Sequence, residues 1–420
     1  MQSPLPQLRW LFVDMDSFFA SIEQHLRPEF RDQPVGVVPV KSEGTCVIAA
    51  SRQAKAFGVK TGTRVLDARK LCPEITFLKA RPDVYVQIHH AVARSIERCV
   101  PIHKAYSIDE WAIELRGSEC TPSTALEVGR NIKQSILKDF SPAITCSVGI
   151  APTRLLAKIA SDVDKPNGIC ALQLHDLPHR LSHLKPKDLC GIGRGMADRL
   201  ERSGVHTIEE LWNLSKRESV HIWNSVTGAD WWTGFHGIDE PEMPTRKSSM
   251  THANVLDPKF RNEHGARAIL TRLVCRLGSR LRRDGYVAAT LAIKVSFLDG
   301  SRCKDAISLG SVQDTPGLLE ALYRMWERID FNRARPIQVC ATVHDLTRTT
   351  EIANILFEDA HNAVKLSSTI DSINNRWGLS SIYYCSMHGY CHQMDDKIAF
   401  GRIPDSAKPT PWAGSMQQSG

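Results

Sequence analysis

No apolar run in the 420 residues is long enough to span a bilayer, and the opening Met1-Gln2-Ser3-Pro4-Leu5-Pro6-Gln7 lacks the basic and apolar regions of a secretion signal. A membrane-spanning or secreted protein is therefore not expected, and the chain reads as cytoplasmic. The 12 cysteines include Cys46, Cys72, Cys99, Cys120, Cys146, Cys170 and Cys190, scattered without the dense framework of a small disulfide-stapled domain, which suits a reducing compartment. A usual zinc site is missing as well. Cys385, His388, Cys391 and His392 crowd into eight residues instead of forming two separated knuckles, so a strand over Ser381 to Cys385 followed by turn residues is the simpler reading. Neither sign of charge dominates: 53 Lys and Arg stand against 46 Asp and Glu, a net charge of +7 that assists binding to a polyanion without establishing it. What is present, 42% hydrophobic and 24% charged residues, describes a globular chain too long for one core, with two to four domains expected.

Two acidic strand ends stand out. Leu11-Phe12-Val13-Asp14-Met15-Asp16 runs from an apolar strand into carboxylates, and Tyr106-Ser107-Ile108-Asp109-Glu110 sets two carboxylates side by side before the alternating strand Trp111-Ala112-Ile113-Glu114-Leu115. If those ends are neighbours, Asp14, Asp109 and Glu110 converge. Three carboxylates at contact distance drive one another toward protonation unless a cation intervenes. A hard divalent ion, Mg²⁺ by default, resolves the conflict; the alternative is an ordinary solvated strand end.

Along the chain, a helix is expected from Ser17 with Phe18, Phe19 and Ile22, then short β-rich runs at Val35-Gly36-Val37-Val38 and from Thr45 to Ala50. Helical patterns cover Ser51 to Leu71, punctuated by Gly58 and Gly62, then Tyr85 to Val100, 124–138 and Thr153 to Val163, with a strand from Ile144 to Ile150 between the last two. An α+β sheet is the economical result. From Leu174 short helices and glycine turns follow. Leu189-Cys190-Gly191-Ile192-Gly193-Arg194-Gly195 separates two helical patterns, and Gly191 and Gly193 would offer backbone N–H groups to a phosphate or make an ordinary turn. A Pro-containing linker lies near 241–250, and after Asp371 the pattern weakens into a polar tail. Residues 246–347 read as strand, helix, two strands, helix, strand. On the first of these helices Arg272, Arg276, Arg280 and Arg283 form a row, and residues 241–300 hold 11 Lys or Arg against 5 Asp or Glu. The row is either a solvated face or a phosphate-tracking one.

With these segments assembled, the chain resembles the Y-family translesion DNA polymerases, closest to the DinB-like branch. The resemblance rests on Val13-Asp14-Met15-Asp16-Ser17-Phe18-Phe19-Ala20-Ser21-Ile22-Glu23, on Tyr106-Ser107-Ile108-Asp109-Glu110, on Ser147-Val148-Gly149-Ile150-Ala151-Pro152 with Leu156-Ala157-Lys158-Ile159-Ala160-Ser161, and on Asp164-Lys165-Pro166-Asn167-Gly168. It implies a right-hand α+β polymerase: a palm from 8–35 and 83–173, small fingers from 36–82, a helical thumb with a helix-hairpin-helix over 174–240, the linker, an α/β little finger over 251–350, and a C-terminal extension over 351–420. Asp14 and Asp109 would bridge two Mg²⁺ ions, with Glu110 and the Met15 carbonyl completing the metal set. Asp16 stays outside that set. Phe19, beside Phe18, falls on the steric-gate position that favours deoxynucleotides, and Lys165 on the lysine that meets the triphosphate of the incoming dNTP. Gly191, Gly193 and the Arg272, Arg276, Arg280 and Arg283 row would face primer-template DNA.

The chain also departs from the family pattern. Arg52 stands where Tyr is common and Lys55 where Arg is common, so both positions stay cationic while a hydroxyl and a planar fork are lost. Trp111 is bulkier than the usual Ala. Near the C-terminus no glutamine-led apolar peptide for a sliding clamp is evident, which leaves an internal or divergent site as the route to that partner, and a monomer is expected. An active polymerase is the reading these residues favour. A non-catalytic DNA-binding accessory protein, or a nucleotide cyclase built on a similar sheet, are the competing ones.

Overall fold

The computed structural model describes residues 8–40, 42–242, 246–331, 334–351, 358–378 and 380–390. They fall into two compact units that divide after Glu242.

The first unit is built on β1 (Trp10–Met15), a strand buried along its whole length. Its side chains alternate: Leu11, Val13 and Met15 enter one core, while Trp10 and Phe12 enter a second on the opposite face. After β1 come α1 (Phe18–Leu26), β2 (Val35–Val38), β3 (Ala49–Ala50), α2 (Arg52–Ala56), α3 (Val65–Leu71), β4 (Thr76–Lys79), α4 (Pro82–Glu97), β5 (Lys104–Ser107), β6 (Glu110–Glu114), α5 (Pro122–Asp139), β7 (Cys146–Ala151), α6 (Arg154–Val163) and β8 (Ile169–Ala171). The main sheet has the order β5-β6-β1-β7-β8. Ile88, Val92 and Ile96 of α4 and Ile132 and Ile136 of α5 pack on the Leu11 face, and Leu156, Ile159 and Ala160 of α6 on the Trp10 face. Helix α6 starts where the Thr153 hydroxyl accepts from the Leu156 N–H at 3.2 Å. It then lies directly on β7 at Gly149, where an added Cβ would stand 2.0 Å from the Ala157 carbonyl oxygen. Trp111 is 1% exposed and stacks on His89 of α4, the ring centroids 4.8 Å apart.

A smaller sheet, β3-β2-β4, closes over Val38, Val47, Val59 and Val65. Within the expected β-rich run from Thr45 only Ala49–Ala50 forms a strand; Cys46 makes a lone bridge to Arg64. Helices α7 (Arg194–Arg202), α8 (Ile208–Trp212), α9 (Lys216–Trp223) and α10 (Thr227–Phe235) finish the unit. The glycine turn that precedes α7 is entered from a 3₁₀ turn, Pro186–Asp188, instead of a full helix, because Pro186 opens a segment too short to propagate one.

The second unit contains β9 (Ser249–Val255), α11 (Glu263–Asp284), β10 (Tyr286–Phe297), β11 (Arg302–Val312), α12 (Thr315–Trp326) and β12 (Pro336–Arg348), in the sheet order β11-β10-β12-β9. Leu270, Val274 and Leu277 of α11 and Leu318 and Leu322 of α12 share one core with Leu291, Ile293, Val339 and Val343 of the sheet. The expected linker over 241–250 is shorter than the sequence suggested, since β9 begins at Ser249 and Lys247 already pairs with Asp284 at 2.8 Å.

The expected loss of order after Asp371 is also corrected. Helix α13 (Glu358–Trp377) packs on α11 and α12; Asp371 takes the Arg282 guanidinium at 2.7 Å, and the Ser367 hydroxyl accepts from the Thr315 N–H at 3.0 Å. No strand forms over Ser381 to Cys385, where bends lead into a 3₁₀ turn at Cys385–Met387. Cys391, His392 and the stretch searched for a clamp peptide lie outside the described residues. No described helix is long and apolar enough to cross a membrane.

Candidate active site

Strand register brings the acidic ends together. Asp14 pairs with Glu110 across β1 and β6 and with Ser147 across β1 and β7, on the sheet face that meets α6. The turn before β6 places Asp109 beside them, its carbonyl accepting the Met15 N–H at 3.0 Å. Asp14 is 5% exposed. Burial, together with the charges of Asp14 and Glu110, pushes the Asp109 carboxyl up to about 6, against the hydrogen bond from the Ser107 hydroxyl.

The cation among these acids is Lys158, one turn before the end of α6. Its ammonium donates to Asp14 and lies 2.9 Å from Glu110 and 3.5 Å from Asp162. Burial alone would lower its pKa, but Asp14, Asp162 and Glu110 raise it well above the usual lysine range. Lys165 joins from the following turn, 2.8 Å from Asp14 and 2.7 Å from Asp162. As the side chains stand, grouped about Lys158, no three His, Cys, Asp or Glu among the described residues are arranged as metal ligands. The chemistry of the donor set nevertheless fits a hard divalent ion, because the three carboxylates are crowded enough to push one of them toward its neutral form.

A cavity of about 350 Å³ opens on this cluster. It is lined by the acidic cluster with Met15, Lys158 and Lys165, by Phe18 and Phe19, and by Ile48, Ala49, Lys55 and Thr61. Of the residues expected to meet a nucleotide, Arg52 is the exception: it is the exposed first residue of α2 and does not line the cavity. Phe19 lies flat on Tyr85, 4.5 Å between centroids and 13° between planes. The Tyr85 hydroxyl donates to Glu23 at 2.8 Å, and Glu23, fully buried, takes the Arg81 guanidinium through both oxygens at 3.0 and 2.7 Å.

The residues expected to meet DNA divide. Gly191 has φ 83 and stands against the Trp231 indole, so the turn requires it; Gly193 has nothing near its Cβ position and only caps α7. The arginine row does not present four solvent-facing guanidiniums. Arg272 is 7% exposed, Arg276 is half-buried, Arg280 lies 3.9 Å from Asp284, and the Arg283 side chain is 65% exposed. A repeat of 3.6 residues marks a stripe but not what packs against it.

The sequence reading gives no role to Lys158, Asp162, Tyr85, Glu23 or Arg81, although Lys158 and Glu23 stand in the quoted motifs. The spacing of Lys158, Asp162 and Lys165 at i, i+4 and i+7 was a usable sign for the first two. Tyr85 and Glu23 lie 62 positions apart and gave none.

The impB/mucB/samB family profile matches residues 13–162, and the profile of that family's C-terminal domain matches 247–351. A DNA polymerase IV from Moorella thermoacetica is 30% identical over 381 residues, spanning 88% of this chain and 93% of the relative. The chain belongs to the Y-family DNA polymerases. Within the family it falls in the DinB-like branch: a DNA polymerase IV from Desulfatibacillum aliphaticivorans is 31% identical over 73% of this polymerase and 77% of the relative, and DNA polymerase IV 1 of Bacillus subtilis is 27% identical over 88% and 91%. A solved Y-family chimera of Dbh and Dpo4 superposes with a TM-score of 0.67 at 21% identity, covering 81% of this polymerase and all of the chimera. DinB from Sulfolobus solfataricus superposes with a TM-score of 0.52 at 21% identity, over 81% and 99%. The palm, fingers, thumb and little-finger architecture follows from these likenesses, and DNA polymerases use divalent metal ions.

Proposed function

We propose that Asp14, Asp109 and Glu110, with the Met15 carbonyl, hold two Mg²⁺ ions for nucleotidyl transfer from a dNTP to a primer paired with its template. The chain is a DNA-directed DNA polymerase of the translesion class; the accessory reading is not favoured. The observation that carries the assignment of roles is the shared cavity, which is lined by Asp14 of β1, Asp109 of the β5–β6 turn and Glu110 of β6 together with Lys165 and Phe19.

In the reaction the primer 3′-oxygen bonds to the α-phosphorus as the α–β phosphoanhydride breaks and pyrophosphate leaves. The bound ions would lower the pKa of the 3′-hydroxyl and neutralise the leaving group. Lys158 yields its place between Asp14 and Glu110 and keeps Asp162 as a partner. Lys165 and Lys55 supply mobile positive charge to the triphosphate. Arg52, outside the cavity, is set aside as a nucleotide ligand. Phe19, braced flat by Tyr85, lies under the sugar and disfavours a 2′-hydroxyl.

For primer-template DNA, the exposed Gly193, at the head of α7, would offer its backbone N–H and those of the first turn. In the second unit the face of the sheet away from α11 and α12 carries Lys294 and Lys304 among the small side chains Ala292, Ala306, Thr342 and Thr251. That flat cationic face suits a phosphate backbone better than the α11 arginine row. The described cysteines are all free thiols, in keeping with a reducing compartment.

Primer extension by the purified chain with Mg²⁺ and dNTPs, beside an Asp109→Ala/Glu110→Ala double variant, tests the assignment. The wild type is expected to extend the primer and the double variant to bind primer-template without extending it. Equal failure of both, with DNA binding intact, would return the accessory reading.

A further inference from the structure

The turn that carries Lys165 is gripped from two sides by groups that touch no reactant. Residues 164–168 leave α6 and enter β8, and Asn167 within them takes a left-handed backbone with φ 58. Its N–H donates to Asp16 Oδ2 at 2.8 Å. Asp16 is 4% exposed and accepts two further hydrogen bonds, from the Thr145 hydroxyl at 2.7 Å and the Ser147 hydroxyl at 2.8 Å. Its own N–H donates to the Thr145 carbonyl at 2.9 Å. With its lone pairs engaged in this way, Asp16 anchors the turn to β1 and β7 instead of turning toward the metal set.

From the other side comes Lys133 of α5. Its ammonium lies 2.7 Å from the Asn167 carbonyl, 2.8 Å from Asn167 Oδ1, 3.1 Å from the Gly168 carbonyl and 2.8 Å from the Cys146 carbonyl. Four acceptors around a group with three donors leave no capacity for solvent. None of the four is a carboxylate, so Lys133 is here as the hub of a backbone junction and not as half of an ion pair. A surface lysine would keep its rotamer freedom; this half-buried one has given it up to fix Asn167 and Gly168.

We infer that Lys133 and Asp16 form a lock that sets the position of Lys165 over the nucleotide cavity, making Lys133 a positioning residue for nucleotide affinity. The inference rests on the reading of Lys165 as a triphosphate ligand. Lys165 is two residues from the doubly held Asn167, so the place its flexible stem reaches is decided by where the turn is anchored. Small displacements of such a group lose much of its effect.

Steady-state and single-turnover kinetics on the full chain test the lock, with Lys133→Met removing the donors while keeping the aliphatic stem. The KM for dNTP is expected to rise roughly tenfold, the size of one charge-assisted contact, with kcat and the affinity for primer-template nearly kept. Lys133→Arg should recover most of the loss. Asn167→Gly, which keeps the left-handed backbone and deletes one acceptor, should raise KM by a smaller factor and guards against a Lys133→Met chain that does not fold. In a Lys165→Ala background Lys133→Met should add nothing. An unchanged KM in both Lys133→Met and Asn167→Gly, or an equal rise with and without Lys165, overturns the lock. A Lys165→Ala chain with wild-type KM would instead overturn the reading of Lys165 itself.

Discussion

Two side chains carry separate predictions at the level of single residues. Phe18 and Phe19 are both buried, so burial does not tell them apart; the flat stack on Tyr85 does, because it fixes the plane of the Phe19 ring. Replacing Phe19 with Ala should increase ribonucleotide incorporation relative to deoxynucleotide incorporation, measured as a ratio of kcat/KM values, and an unaltered ratio would remove Phe19 from the gate. His89 makes the second case. Burial holds its imidazole down at about 4, and Nδ1, 2.6 Å from the Ile108 carbonyl, must carry the proton of the neutral ring. Unfolded, the ring titrates near 6.5. Between those values the unfolded chain binds a proton that the folded chain does not, so stability falls as pH falls from about 6.5 to 4, by about 3 kcal/mol at most. Chemical denaturation across that range should show a shallower pH slope for His89→Phe, which keeps the stack on Trp111; identical slopes would show that His89 does not contribute.

At the scale of elements, the contact between α6 and β7 decides how the site is assembled. Gly149→Ala would drive a Cβ into the α6 backbone at Ala157 and Ser161. The helix carries Lys158 and leads to Lys165, so its withdrawal should lower stability by about 2–4 kcal/mol and reduce primer extension together; a melting temperature equal to wild type would mean α6 moves without penalty. This contact also shows what the sequence could reveal. The apolar run of β1, the alternation of Trp111 to Leu115, the helical pattern of α6 and the strand-helix order of 246–347 are local signals, and the structure has those elements. The carboxylate cluster is legible because each member lies at or beside the end of a readable strand. Lys158 is not, because its neighbours are chosen by where α6 lies across the sheet. Arg272 was misplaced on a solvent-facing stripe for the same reason: a helical repeat gives an angle around an axis, and only packing gives its surroundings.

For the whole molecule, the second unit is thicker than the family profile alone describes. That profile ends at residue 351, whereas α13 lies beyond it and adds a layer outside α11 and α12. Arg282, with a side chain 8% exposed, is held by Asp371 and by the Gln313 carbonyl at 2.6 Å. Asp371→Asn leaves a buried guanidinium short of its charge partner and should destabilise the second unit by about 2 kcal/mol, Asp371 itself being partly open to solvent. Urea denaturation of the full chain measures it, and an unmoved transition would show α13 to be only loosely attached.

The strand order of that unit bears on self-association. Among the described residues β11 ends the order β11-β10-β12-β9, and an eleven-residue strand in that place is the kind of edge onto which another copy could add a strand. Arg302, Lys304 and Asp305 place charge along it, the register slips opposite Ala288 and Thr290, and Gly310 turns with φ 78. Charge and irregularity together make the edge a poor template, so the unit can end its sheet on a long strand without inviting β-sheet aggregation.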